Sequence, residues 1–161
     1  DDYSVCGGEV GAQAKWNNGL GARITYAYTK EQLAKDKDGN SINNQYIPAR
    51  EHALNVRMDY DRQISSNYGL NIGLQGRVLS GVENVEYKDY YDVSKGTISV
   101  EYPAYTLWKL SLVQRIGKAV KVNAALDNLF GYKPKYYYLN SPITDGVTFQ
   151  IGVSIDIDKF F

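Results

Sequence analysis

Tyrosine is the residue best able to touch a ligand in this chain, with fifteen of them against four phenylalanines. Its ring is apolar and its hydroxyl is wet, so it stacks on flat or sugar-like ligands and equally suits a boundary between apolar medium and water. Tyr87, Tyr90, Tyr91, Tyr102, Tyr136, Tyr137 and Tyr138 fall in polar stretches with the Gly, Pro, Asp and Lys content of loops. They are the candidate ligand contacts; the plainer reading, which their placement favours, is that they pack loops together or line such a boundary. A second set, Arg23, Arg57, Asp59, Arg77, Asp127 and Asp156, alternates with apolar neighbours. Mixed in sign, these residues suit lining water or gripping a partner by ion pairs, and they do not build a single-sign selectivity ring.

Catalytic and metal chemistry have little to work with. Hydrolytic catalysis usually wants a histidine base oriented by a carboxylate. His52 is the single histidine, and it lies on the phase opposite Asp59 and Asp61, so no enzyme is expected. As a haem ligand it is the weaker reading against an interfacial side chain. Cys6 is the single cysteine, a free thiol or a partner for a cysteine elsewhere, and no Cys/His cluster of metal-site spacing exists. No cofactor is implied. A formal charge of zero and a pI near 6.8 give no electrostatic footprint for nucleic acid. The run Lys35-Asp36-Lys37-Asp38 reads as solvated loop.

The elements that must position these residues are strands. From Val147 towards Phe161, apolar residues (Val147, Phe149, Ile151, Val153, Ile155, Ile157, Phe161) alternate with Thr148, Gln150, Gly152, Ser154, Asp156 and Asp158. Alternation of period two marks a strand with one apolar and one polar face. Six more such stretches lie upstream. They run from about Gly8 to Trp16, Leu20 to Thr29, Glu51 to Asp61, Tyr68 to Val78, Thr106 to Ile116 and Ala119 to Phe130. Asn17-Asn18-Gly19, Ser65-Ser66-Asn67 and Gly117-Lys118 make tight turns. Long polar connections, Lys30 to Gln45, Gly81 to Tyr102, and one through Pro134 and Pro142, separate the resulting hairpins. Connections therefore alternate short and long, as in transmembrane barrels with tight turns on one side and long loops on the other.

The mean hydropathy of −0.42 is no obstacle, because every second residue of a membrane strand can face water. The apolar phase holds no charge in the strand cores: Val10, Ala12, Ala14; Leu20, Ala22, Ile24; Leu54, Val56, Met58; Leu70, Ile72, Leu74; Leu110, Leu112; Val120, Val122, Ala124. Arg or Lys on the lipid face at mid-membrane costs about 2–4 kcal/mol, which accounts for the exclusion. Aromatics gather at both ends of the strands, with Trp16, Tyr60, Tyr68 and Phe161 at the short-turn end and Tyr26, Tyr28 and Trp108 towards the long loops. A soluble β-sandwich or meander is the competing reading. The expected fold is all-β, a transmembrane antiparallel barrel wall; seven strands would leave unpaired edges in hydrocarbon, so further strands are expected from another polypeptide or segment.

Leu126-Asp127-Asn128-Leu129-Phe130-Gly131-Tyr132-Lys133, followed by Tyr136-Tyr137, resembles the Asn-Leu-Phe…Lys…Tyr stretch near the end of TonB-dependent outer-membrane receptors. Gly146-Val147-Thr148-Phe149, with a strand closing on Phe161, is similar to that family's last strand, and Phe161 would be its assembly signal. Ile47-Pro48 ahead of His52-Ala53-Leu54-Asn55, Pro103-Ala104-Tyr105-Thr106, and Gly8-Glu9-Val10 resemble the family in the same order. Two departures stand out. Thr144-Asp145-Gly146-Val147 replaces a Pro-Gly-Arg pattern, and Lys159 occupies a commonly apolar position.

The resemblance implies that residues 1–161 are the carboxyl-terminal part of a barrel of about 22 strands. The amino-terminal strands and the plug domain would lie elsewhere in the receptor, and Asp1 would fall in or near a surface loop. It implies import of a scarce nutrient (an iron complex, haem, cobalamin or a glycan) across the outer membrane of a Gram-negative bacterium. The partners would be the rest of the receptor, the TonB complex acting through the plug, the lipid bilayer, and a surface lipoprotein in some bacterial groups. Arg23, Arg57, Asp59, Arg77, Asp127 and Asp156 would then face the lumen and plug. A self-contained small outer-membrane barrel, structural or adhesive, and a passive porin are the alternatives.

Overall fold

The computed structural model describes residues 4–32, 49–89, 91–134 and 144–159. Among the described residues nine strands follow one another: β1 (Ser4–Lys15), β2 (Leu20–Gln32), β3 (His52–Ser65), β4 (Tyr68–Leu79), β5 (Val82–Tyr87), β6 (Thr97–Tyr102), β7 (Tyr105–Ile116), β8 (Val120–Asp127) and β9 (Thr148–Ile155). Among the described residues seven of them form one sheet in the order β1-β2-β3-β4-β7-β8-β9, and β5 pairs with β6 alone. Every pairing is antiparallel. The wall is thus an up-and-down meander whose neighbours in space are neighbours in sequence, apart from the β5–β6 insertion.

The short turns form where the sequence places them. Gly19 has φ of +96°, and an added Cβ there would sit 2.4 Å from the Asp61 carbonyl oxygen, so only glycine fits the β1–β2 turn where it passes β3. Asn18 Oδ1 accepts from the Leu20 amide at 3.1 Å and closes the turn.

Several boundaries differ from the sequence reading, each for a local reason. The stretch Gly81 to Tyr102 is not open loop, since β5 and β6 make a hairpin within it. The first strand starts at Ser4 rather than Gly8, because Ser4 to Gly7 pair with Thr29 to Gln32 of a longer β2. The sixth wall strand ends at Asp127, where Asn128 adopts φ of +53° and the Leu129 amide turns back to the Trp108 carbonyl at 2.8 Å. The last strand stops at Ile155. Its final ladder contact, Asp156 N–H to Ala119 O at 2.8 Å, falls where β8 begins, and a 3₁₀ turn over Ile157–Lys159 follows.

Register carries the apolar phase across the wall without interruption. One row runs Ala14, Ala22, Met58, Leu74, Leu110, Leu126, Phe149, and another runs Leu20, Tyr60, Ile72, Leu112, Ala124, Ile151. Phase is even in the first six wall strands and odd in the last. The opposite face carries Gln13, Arg23, Arg57, Gln75 and Lys109 in one row. Among the described residues no second layer covers the apolar face. Leu79 and Tyr102 are the buried apolar residues among those described, whereas Val10 is 66% exposed and Ile151 68%. An uncovered apolar stripe this wide is outside what a water-facing monomer tolerates.

Candidate ligand-facing rim and inner wall

Two recesses on the polar face hold candidate inner-face charges. In the first, Arg23 of β2 stands directly opposite Arg57 of β3, with Gln13, Lys15 and Asp59 around them in a cavity of about 440 Å³. Like charges directly opposed across strands destabilise a sheet unless something offsets them. Among the described residues no ion pair engages either guanidinium. The Asp59 carboxylate lies over Gly21, where an added Cβ would come within 2.9 Å of it.

The second recess, about 560 Å³, is lined by Gln75, Arg77, Lys109, Asp127, Thr144 and Asp145 near the long-loop end. Here Lys109 Nζ lies 3.0 Å from Asp127 Oδ1, so the wall neutralises this carboxylate itself. The expected inner-face set therefore separates into Arg23, Arg57 and Asp59 in one recess, Arg77 and Asp127 in the other, and Asp156 beyond the end of β9, outside both.

At the rim the β5–β6 hairpin presents Tyr87 and Tyr91 to solvent, Tyr91 being 95% exposed. Tyr102 is different from them. It is 3% exposed, and its hydroxyl donates to Glu86 Oε1, so this ring is spent on the hairpin's own packing. Tyr90, Tyr136, Tyr137, Tyr138 and Phe161 lie outside the described residues, as does Lys35-Asp36-Lys37-Asp38. The hairpin tip is closed by a 3₁₀ turn, Val93–Lys95, capped by Asp92 onto the Ser94 amide. Lys95 Nζ donates to Asp89 Oδ2 at 2.5 Å and holds the Asp89 carboxyl below the usual carboxylate range.

His52 sits on the apolar phase at the upper end of β3. Its Nδ1 is 2.7 Å from the Tyr26 hydroxyl, and its ring lies 5.3 Å from that of Tyr28. This is the interfacial aromatic arrangement. Cys6 is exposed on the same phase of β1.

The roots of the long connections carry contacts that alternation could not reveal. The Arg50 guanidinium donates to the Ser80 carbonyl and, at 2.9 Å, to the Pro103 carbonyl. It also lies 4.7 Å above the Tyr105 ring. Tyr105 stacks on Tyr132 with centroids 5.2 Å apart. Burial raises the Tyr132 phenol above its ordinary pKa, against the opposing charge of Arg50. Asn128, 7% exposed, donates to Tyr132 O at 2.7 Å and Thr144 Oγ1 at 2.9 Å, and accepts from the Tyr132 amide at 2.9 Å. The polar residue at the left-handed position was the one sequence signal available, as Asn tolerates positive φ.

The model of the TonB dependent receptor-like β-barrel family matches residues 5–129. Among solved structures, the FrpB iron transporter from Neisseria meningitidis (F3-3 variant) is similar in fold, with a TM-score of 0.64 and 19% identity over 95% of this chain. The chain spans 23% of that structure's length. No curated protein matches.

Proposed function

Because this chain belongs to the TonB-dependent receptor-like β-barrel family, we propose that it forms part of the wall of an active transporter in the outer membrane of a Gram-negative bacterium. The even-numbered face of β1–β4, β7 and β8 and the odd-numbered face of β9 contact lipid. The opposite face lines the lumen, and the long connections lie outside the cell. The observation that carries this reading is the apolar face that register carries across seven strands, with no protein layer on it among the described residues. Residues 1–161 are read as the carboxyl-terminal barrel segment, with the remaining strands and the plug supplied by the rest of the receptor and energy delivered through the TonB complex.

In this reading Tyr87 and Tyr91 on the hairpin, with Tyr90, Tyr136, Tyr137 and Tyr138, offer rings to an incoming ligand. Arg23 and Arg57, in no ion pair among the described residues, suit a carboxylate of the plug. Asp59, Arg77, Asp127 and Asp156 line the same lumen. The cargo is a scarce nutrient, and an iron complex is the form tested first, since FrpB, which shares the fold, is an iron transporter. The role is transport, with no enzymatic step.

Topology is tested in whole cells carrying the full receptor with Cys6→Ser, using a membrane-impermeant maleimide. Tyr91→Cys labels on intact cells, and Asn67→Cys labels only after the outer membrane is opened. The reverse order, or equal labelling, refutes the orientation. Cargo is tested by deleting the receptor and supplying ferric complexes as the only iron. Unchanged growth and uptake refute iron as the cargo.

A further inference from the structure

Three long connections leave the wall at one rim, between β2 and β3, between β4 and β7, and between β8 and β9. Nothing in a barrel wall obliges their roots to interact, since each is held by its own strands. Here one residue reaches all three. Arg50 ends the first connection, two residues ahead of β3. Its guanidinium spans the feet of the second, donating to the Ser80 carbonyl just after β4 and to the Pro103 carbonyl just after β6. The same planar group covers Tyr105, which stacks on Tyr132 of the third connection. Asn128 then ties Tyr132 to Thr144, closing the third connection at its base. On the other side, Glu31 accepts from the Ala49 amide at 3.1 Å and fixes the backbone that precedes Arg50.

We propose that Arg50 is a positioning residue that makes the three outward connections a single mechanical unit. A displacement of the β5–β6 hairpin must carry Pro103 and Ser80. Those carbonyls hold the guanidinium, and the guanidinium holds Tyr105 and, through it, Tyr132. The hairpin and the β8–β9 connection therefore shift together. Arginine is required because Nη1, one bond beyond the reach of a lysine Nζ, donates to both carbonyls while the planar group covers a ring. The inference rests on the transport reading solely for what moves the hairpin, namely an incoming ligand; the anchoring itself stands on geometry.

The experiment is amide hydrogen exchange on the full receptor in lipid nanodiscs. Arg50→Lys raises exchange about tenfold at the Ser80 amide, which bonds His52 O, and at the Tyr132 amide, which bonds Asn128 Oδ1. The amides of the short turns near residues 16–20, 66–68 and 117–120 stay unchanged. Tyr105→Leu leaves the two carbonyl bonds and cuts the path beyond them, so Tyr132 exchange rises and Ser80 exchange does not. In the double variant Arg50→Lys/Tyr105→Leu, Tyr132 exchange equals that of the stronger single variant, because both lie on one path. Multiplicative effects, a rise confined to residues near Arg50, or a uniform rise that includes the short turns would overturn the proposal. If the transport reading fails instead, uptake assays show no cargo while this exchange pattern persists, so the two failures are distinguishable.

Discussion

Substituting Leu74 by arginine tests whether the even face meets hydrocarbon. Leu74 lies near the middle of β4, between Met58 and Leu110 on the apolar face. Gln75, the next residue, points to the other side between Arg57 and Lys109 at nearly the same depth. The Tyr68–Ile116 pair lies six residues along β4 towards the short turns. At about 3.4 Å per residue and a tilt near 45°, that is about 20 Å along the strand and about 14 Å of depth, half of an apolar band about 25 Å tall. Leu74→Arg is therefore expected to cost about 2–4 kcal/mol, and Ile116→Arg about 0–1 kcal/mol. Gln75→Arg adds like charge beside Arg57 and Lys109 and costs at most about 1 kcal/mol. The assay is urea-dependent folding of the full receptor into vesicles, followed by tryptophan fluorescence. A protein core penalises a buried arginine at any depth. Equal costs for Leu74→Arg and Ile116→Arg would refute the lipid assignment, as would a Leu74→Arg cost no larger than that of Gln75→Arg.

Three further outcomes follow from local geometry. At Gly76 an added Cβ would sit 2.5 Å from Trp108 Cζ3, so Gly76→Ala displaces the indole from its 2.6 Å bond to Thr106. It costs about 1–3 kcal/mol and shifts tryptophan emission; unchanged emission and stability would contradict the contact. Asn128→Ala loses the amide's bonds and strains φ of +53°, whereas Asn128→Gly loses only the bonds. Alanine is therefore the worse substitution by about 1–2 kcal/mol in denaturant midpoints, and the opposite order would refute the account. Asp89 has a lowered pKa caused first by Lys95, so its contribution is full above the ordinary carboxylate pKa and disappears as pH falls through the lowered value. Tyr91 amide protection, corrected for intrinsic exchange, should drop only in strong acid, and Asp89→Asn should abolish that dependence; a loss near pH 6 would count against the ion pair.

The wall was legible because alternation and turn chemistry agree on it. Val56, Ile72 and Ile151 mark the outward phase from sequence alone, and Asn17-Asn18-Gly19 sets the first register. Legibility failed where a local exception masked a continuing strand. Arg62 falls on the outward phase, so alternation stops at Asp61. The strand nevertheless runs on to Ser65, through a bulge between Gln63 and Ser65. The β5–β6 hairpin hides for a similar reason. Glu83, Glu86 and Glu101 interrupt any apolar phase, and Glu86 is accommodated by its bond to the buried Tyr102, a tertiary contact that composition cannot signal. Of the candidate inner-face charges, Arg23 and Arg57 were identifiable by phase, whereas their direct opposition needed register. Arg50 had no signal, because its partners, two backbone carbonyls and a ring, lie 30 residues away or more.

Parity has a last consequence for how such a molecule can vary. The apolar-face positions change from even to odd numbers between β8 and β9, inside a connection long enough to absorb either count. One residue added there, or between β2 and β3, lengthens a loop at a slowly rising entropic cost. The same addition within β4 after Ile72 would turn Arg77 towards hydrocarbon and Leu74 towards water. Insertions and deletions are thus free to reshape the long connections while the strands keep their count, so one rim can diversify without disturbing the wall.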